Sequence, residues 1–285
     1  DTDTEFASGV LDLSQIVDSG AAAYVKIDQR RHCNWNPPST VQHDWHDADD
    51  LKTYAEGYDA WWTQSSTGNT PEQRTSNYKL NIPGDAEVVG VCVSAYTAND
   101  SDGLTYYLHS VRITTVGPGG PIRQARNTKN YITGGSWHQY WWGSEGSLWG
   151  GELSSNPAEY NNASTEVAYG TTIRSNRHAY LNRLYLKVCY YHKGARYTTA
   201  AVSLPADCIA WARIEGADTV PAGTSLRYDV LHADTEAVLL SDQSLPVDLQ
   251  GLGTSPLKVK AKMSTNDYTT SPSLQTLRLM CWGRP

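Results

Sequence analysis

The sequence predicts an all-β protein made of two antiparallel β-sandwich domains in tandem, of the jelly-roll or immunoglobulin-like kind, preceded by an extended N-terminal arm. Many short segments alternate apolar and polar side chains with a period of two, and Gly, Pro, Asn and Asp separate them. No segment carries a sustained helix-spaced apolar stripe. The chain of 285 residues suits two ordinary domains, because single cores usually stop growing at about 250 residues.

The first thirty residues contain two strand-like segments, Gly9–Val17 and Ala21–Ile27, which we expect to belong to neither core. Such an arm, residues 1–30, could lie on a neighbouring subunit. The first domain is then 31–194 and jelly-roll-like. The smaller sandwich domain is 200–285, because the run from His192 to Arg196 breaks the strand pattern.

A clear strand of the first domain is predicted at Glu87–Tyr96, where three valines at alternate positions share one face. The preceding Pro83-Gly84-Asp85 is turn chemistry that delivers the chain into this strand. Asp47–Ala60 and Thr133–Tyr140 could each hold a helical turn or two. The other strands predicted in this domain are Leu104–Thr115, Glu166–Ile173 and Tyr180–His192.

The second domain contains the clearest alternation of the chain. In Leu257–Met263 aliphatic and lysine side chains alternate without a break, which places one face on a core and the other in water. Pro272 lacks the N–H needed inside a sheet ladder and therefore indicates a last strand that begins near Ser273. The remaining strands predicted here are Cys208–Ile214, Ser225–Leu231 and Leu274–Trp282.

Composition argues against several classes of partner. The net charge is −7 and the basic residues are scattered, so nucleic acid is not an expected partner. No run approaches the roughly 18 apolar residues of a membrane span, so we expect no membrane insertion. The surplus of 18 Tyr and 10 Trp over a single Phe favours interfaces and half-wet surfaces, and hence an assembly protein.

Catalytic signatures are missing from the sequence. Gly117-Pro118-Gly119-Gly120 lacks the Lys-Ser/Thr of a phosphate loop, and no G-x-S-x-G elbow is present. Glu145 and Glu152 could serve a glycosidase, although nothing in the sequence fixes their separation. We therefore expect no catalytic residues, no enzymatic activity and no cofactor.

Two motifs could bind a ligand. His43 and His46 stand three residues apart beside carboxylates and could hold zinc or a transition metal, or they could be ordinary solvated loop residues. The second motif could form a sugar platform, a subunit interface or part of the core, since aromatic side chains serve all three. Its members are Trp137, Tyr140, Trp141 and Trp142.

The five cysteines form no C-x-x-C pair, which argues against a zinc ribbon. Cys208 and Cys281 lie on core-facing positions of the first and last strands of their domain, so a disulfide between them is geometrically possible. Cys92 and Cys189 occupy equivalent strand faces and could also pair, although buried free thiols are an equal alternative for both pairs. Cys33 is left over as the candidate for a bond to another chain.

Four ordered runs of the first domain, Ile82–Val93, Gly146–Ser155, Val167–Ile173 and Leu181–Tyr191, resemble a β-sandwich module of bacteriophage virion and tail-associated proteins. That family has a Phe-Gly-Val strand where this chain has Ala168-Tyr169-Gly170-Thr171. The resemblance implies that Trp149 fills the sandwich core and that the protein has a structural role without an active site. The second domain is similar to another phage tail module through Val220–Val230, Pro256–Asp267 and Thr270–Trp282.

The leading hypothesis from the sequence is therefore a non-enzymatic virion protein, namely a tail-fibre, collar, baseplate or capsid-decoration component. Its partners would be other virion proteins and further copies of itself as a homo-oligomer, and its location would be the virion or the extracellular space. The alternative is a secreted, lectin-like glycan-binding module that recognises host surface glycans with exposed Trp and Tyr. A surface polysaccharide hydrolase is the third hypothesis.

Overall fold

A computed structural model describes residues 10–12, 14–18, 23–42, 45, 48–52, 60–64, 68–99, 106–117, 122–132, 137–173 and 177–283. Over these residues the chain is nearly all β, and it forms two antiparallel β-sandwich domains, as predicted. None of the described helices has the length and apolar character needed to cross a membrane. The larger unit is 31–191, and the smaller unit combines 1–30 with 192–285.

The larger unit packs two sheets face to face. Its strands are β4 (His32–Asn36), β5 (Thr40–Val41), β6 (Ala60–Gln64), β7 (Gly68–Asn69), β8 (Gln73–Ser76), β9 (Ala86–Asn99), β10 (Tyr106–Val116), β11 (Ile122–Ile132), β12 (His138–Ser144), β13 (Glu166–Ile173) and β14 (Arg177–His192). One sheet has the strand order β11-β10-β13-β8-β5, with β7 also paired to β13. The other, which we call the front sheet, has the order β12-β9-β14-β4, with β6 also paired to β14.

The core of the larger unit lies between these sheets. Alternate residues of each strand point inward, so the front sheet contributes Val91, Val93 and Ala95 from β9 and the facing sheet contributes Val111 and Ile113 from β10. All five are fully buried. The alternate positions of β9 point to the other side of the front sheet, where Cys92 and Ser94 are themselves buried.

The smaller unit is a second sandwich of two five-stranded sheets, with the orders β1-β15-β20-β17-β18 and β19-β16-β21-β3-β2. In β20 the buried and half-buried positions alternate from Leu257 to Met263, as the pattern of aliphatic and lysine residues predicted. The strands are β1 (Val10–Asp12), β2 (Ser14–Asp18), β3 (Ala23–Ile27), β15 (Gly194–Thr198), β16 (Cys208–Thr219), β17 (Thr224–His232), β18 (Val238–Gln243), β19 (Val247–Asp248), β20 (Leu257–Thr265) and β21 (Ser273–Gly283).

The N-terminal strands differ from the expectation of a free arm. β3 pairs with the last strand, with Val25 opposite Leu274, and β1 pairs with β15. Val25 and Ile27 are fully buried in the core of the smaller unit. The reason is that this core needs strands from both ends of the chain, so the larger unit is inserted between β3 and β15.

Helices are short. A 3-10 helix covers Ala48–Lys52, inside the segment where a turn or two was expected, and another covers Trp149–Gly151. Helix α1 (Pro157–Asn161) was not predicted; Asn156 caps it by accepting a hydrogen bond from Ala158 N at 3.0 Å. Within Thr133–Tyr140, the described residues from His138 onward are strand rather than helix.

The cysteine pairing departs from the sequence-based interpretation in one place. Cys208 is bonded to Cys281, with the two Cα atoms 5.9 Å apart. Cys33, however, is bonded to Cys189, whereas Cys92 is a buried free thiol. The expectations of an inter-chain bond at Cys33 and of a Cys92–Cys189 pair are therefore wrong, because Cys33 lies directly opposite Cys189 on β4.

Candidate functional site

The candidate site is a row of aromatic rings on the outer face of the front sheet. Because Ala60, Ala95, Ala179 and Leu181 point into the core, their strand neighbours point outward. We call the five rings the aromatic row. Its members are Trp61 on β6, His178 and Tyr180 on β14, Trp137 just before β12, and Tyr96 on β9.

The rings of the aromatic row contact one another in sequence across the sheet. The centroids of Trp61 and His178 are 5.5 Å apart, and those of His178 and Tyr180 are 5.8 Å apart in a stacked arrangement. Tyr180 and Trp137 are separated by 6.2 Å, and Trp137 stacks on Tyr96 at 5.2 Å. These distances lie in the range in which aromatic pairs stabilise one another. The row is therefore a continuous series of aromatic contacts, and each of its five rings is half-buried.

Polar groups border the aromatic row. The guanidinium of Arg183 lies over the Tyr96 ring, 5.8 Å from its centroid, a cation–π geometry. Gln139, which stands opposite Tyr96 on β12, donates a hydrogen bond from Nε2 to Ser94 Oγ at 2.9 Å. Trp141 follows two residues later on the same outer face and is 39% exposed. The surface thus combines apolar ring faces with nearby hydrogen-bonding groups.

A buried polar chain supports the row from beneath the sheet. His109 Nδ1 lies 2.6 Å from Tyr169 Oη, and Tyr169 Oη donates to Thr97 Oγ1 at 3.1 Å. Thr97 Oγ1 in turn donates to the backbone carbonyl of Tyr180 at 2.5 Å. Burial lowers the pKa of His109 to about 4 and raises the pKa of Tyr169, so both side chains are neutral at pH 7. These hydrogen bonds hold the backbone of Tyr180 in place without a buried charge.

The structure separates the four predicted aromatic binding residues into two groups. Trp137 and Trp141 lie on the outer face, as a binding surface requires. Trp142 is fully buried, and Tyr140 points to the same inner side, with its ring 5.2 Å from that of His109. These two are core residues and do not belong to a surface site, because adjacent residues of a strand point to opposite faces.

Trp149 lies at the edge of the core rather than at its centre. Its ring is half-buried and packs against the core cluster, and its indole N–H donates to the carbonyl of Val91 at 2.8 Å. Gly143 leaves the room that this contact needs, since a Cβ there would lie 2.5 Å from Trp149 Nε1. The role of Trp149 is structural.

Sequence reasoning missed most of the row. Trp61, Tyr96, His178 and Tyr180 are distant in sequence, and only strand pairing brings them together. Period-two alternation places Tyr96 on the face opposite to Val91 and Val93, so the outward direction of that ring was readable. The same rule applied to Leu184 and Leu186 would have placed Tyr180 on the inner face, because the alternation is interrupted between Leu181 and Leu184. The order of the strands, which decides which rings meet, could not be read from the sequence.

The described residues do not test the candidate metal ligands of the sequence. His43 and His46 lie outside the described residues. Within the described part of the chain, one group of three potential ligands comes together, namely Cys33, Cys189 and Glu145. Its two sulfurs are joined to each other, so neither offers the thiolate that a metal would bind. The Glu145 carboxylate instead pairs with Lys187 at 2.5 Å and Arg31 at 2.6 Å.

Comparison with known proteins gives no family. No family model and no curated protein matches the chain. Among solved structures, it is similar to a "putative secreted protein" of Parabacteroides distasonis (9% identity, 98% of each chain covered, TM-score 0.42). It is also similar to the tandem CBM22-1-CBM22-2 domain of Paenibacillus barcinonensis Xyn10C (9%, 96% of this chain and 98% of that chain, TM-score 0.32).

A viral structure also appears among the matches: infectious bursal disease virus, at 8% identity and a TM-score of 0.24, covers 88% of this chain and 41% of that chain. All these TM-scores are below 0.5, so none of the three likenesses carries an argument about this chain. The predicted phage family is not supported by any of them. A functional conclusion therefore depends on the residues of the chain itself.

Proposed function

We propose that the protein is an extracellular, non-catalytic glycan-binding module, and that saccharide rings stack on the aromatic row. The observation that carries the proposal is the unbroken contact of five aromatic rings on the outer face of one sheet, which also carries the exposed Trp141. This was the alternative to the virion role at the level of sequence.

The chemistry of the row suits saccharides. The C–H faces of a pyranose are apolar and pack on aromatic rings, whereas its hydroxyl groups need hydrogen-bond partners at the rim. The Gln139 carboxamide and the Arg183 guanidinium lie at that rim. An oligosaccharide laid along the row would therefore satisfy both kinds of surface.

Two disulfides in one chain agree with an extracellular location, since such bonds persist in oxidising compartments. A saccharide ligand would also be met there. The virion role stays a prediction from the sequence resemblance, and no feature of the described residues favours it over glycan binding.

The test is a glycan array followed by titration of the full chain with the oligosaccharides that score. We expect Trp137→Ala and Trp141→Ala to weaken binding at least about tenfold, which corresponds to the loss of one good stacking contact. Trp35→Ala is the matched control, because Trp35 is 49% exposed on the same sheet but contacts Tyr185 rather than the row. The proposal would be refuted if Trp137→Ala and Trp141→Ala bound the oligosaccharides as tightly as Trp35→Ala and the natural chain.

A further inference from the structure

The smaller unit contains an open hollow beside its last strand, which we call the Trp282 hollow. Its volume is about 500 Å³, within the range of roughly 300–1,000 Å³ that small-molecule sites occupy. The residues that give it its chemistry are Arg213, Pro246, Asp248, Gln250, Met280 and Trp282.

One side of the Trp282 hollow is apolar and unusually exposed. Trp282 is 54% exposed and Met280 is 41% exposed, and Pro246 adds a third apolar surface. Large apolar side chains in a cleft with convergent polar groups are typical of a ligand site. The core of the smaller unit does not need these two side chains, since neither belongs to its buried cluster.

The polar residues that line the hollow are already oriented. The Asp248 carboxylate accepts a hydrogen bond from Gln250 N at 2.9 Å, which fixes its direction. Arg213 forms an exposed ion pair with Glu215 at 2.5 Å, and the two side chains together carry no net formal charge. The remaining formal charge at the lip is the negative one of Asp248. Such a lip favours a neutral ligand with hydroxyl donors over an anionic one.

Three strands build the hollow and hold it in shape. Arg213 on β16 lies opposite Met280 on β21 on one side and opposite Asp248 on β19 on the other. The Cys208–Cys281 disulfide joins β16 to β21 at the edge of the hollow, and Leu249 N donates to Ala212 O at 3.0 Å. The site therefore exists before a ligand binds, and little ordering is required on binding.

We propose that the Trp282 hollow is a second saccharide site, in which a neutral pyranose stacks on Trp282 while its hydroxyl groups bond to Asp248 and Gln250. The ligand class rests on the proposed function of the aromatic row, but the site is separate in sequence and in fold unit. The protein then takes two saccharides at once, which raises its avidity for a polysaccharide that reaches both sites.

The test is isothermal titration of the full chain with cello-, xylo-, manno- and chito-hexaose and with β-1,4-galactotetraose, recorded together with the indole N–H signals in the NMR spectrum. We expect two sites per chain, and a shift of the Trp282 indole signal. Trp282→Ala should reduce the stoichiometry to one, and Asp248→Ala should weaken that same site at least about tenfold. Val238→Ala is the control, because Val238 is equally exposed in the same unit but lies outside the hollow.

The outcomes separate the two proposals. One site that is lost in Trp137→Ala but kept in Trp282→Ala would overturn the second site and leave the proposed function intact. One site that is kept in Trp137→Ala but lost in Trp282→Ala would uphold the hollow and refute the proposed function. Absence of binding to every oligosaccharide of the panel would overturn both.

Discussion

Trp137 stacks on Tyr96 with the two ring planes inclined by only 20°. The two residues are 41 positions apart, and Trp137 precedes β12 while Tyr96 lies near the end of β9. Tyr96 also receives the guanidinium of Arg183 on its ring. It therefore positions both a candidate contact residue and a rim cation.

The Tyr96 ring, rather than its hydroxyl group, should matter for binding. We predict that Tyr96→Ala weakens saccharide binding about 2- to 12-fold, because one aromatic pair contributes roughly 0.5–1.5 kcal/mol and Trp137 loses its support. Tyr96→Phe keeps the ring and should bind within about twofold of the natural chain. Titration checks both. Equal losses in the two variants would contradict the stacking role.

Replacing Trp141 should affect binding, whereas replacing Trp142 should affect stability. Trp142 is fully buried, so Trp142→Ala is expected to lower the free energy of unfolding by about 3–5 kcal/mol. Trp141→Ala should change it by less than about 1 kcal/mol and act on binding instead. Urea denaturation followed by circular dichroism measures the first quantity. A large stability loss in Trp141→Ala would show that its exposed ring is needed for folding.

We predict that the protein runs as a single chain in non-reducing denaturing gels, because both disulfides join cysteines of the same chain. Alkylation of the unfolded, unreduced chain should label Cys92 alone. In the native chain Cys92 should react slowly, since it is buried and burial raises the pKa of its thiol. Peptide mapping by mass spectrometry identifies the labelled residue, and label on Cys33 would contradict the pairing.

His109 should make the protein less stable in acid. Its pKa is about 4 in the folded chain against 6.5 without burial, so below pH 6.5 the unfolded chain binds a proton that the folded chain does not. Stability is therefore lost as the pH falls from 6.5 towards 4, by roughly 3 kcal/mol. Urea denaturation across this pH window should show a flatter profile for His109→Gln. His138→Gln is the matched control for the substitution, because His138 is exposed.

Local pattern predicted Leu257–Met263, whose two faces differ, and also Glu166–Ile173, a strand buried on both faces that has the predicted bounds. It missed β11, Ile122–Ile132, an edge strand in which Ala125 is the one buried residue among the described side chains from Ile122 to Lys129. An edge strand of this kind has no apolar stripe to detect. The pairing of β3 with β21 was also out of reach, because its partner lies near the other end of the chain.

The cysteines show why a site is harder to predict than a fold. Alternation placed Cys92 and Cys189 on matching faces, but β14 lies between β9 and β4, so Cys189 has a neighbouring strand on each side. Only the strand order shows that Cys33 is the partner. The aromatic row depends on the same information. Of its five rings, the sequence singled out Trp137 alone.

The insertion of the larger unit between β3 and β15 leaves its two ends side by side. His32 and Tyr190 are register partners, and the adjacent Cys33–Cys189 bond fastens the entry strand to the exit strand. A polypeptide that leaves and returns at neighbouring points can be grafted into a surface loop of an unrelated host without stretching that loop. Residues 31–191 therefore form a unit that can be transferred to another protein, with a disulfide that joins its first strand to its last.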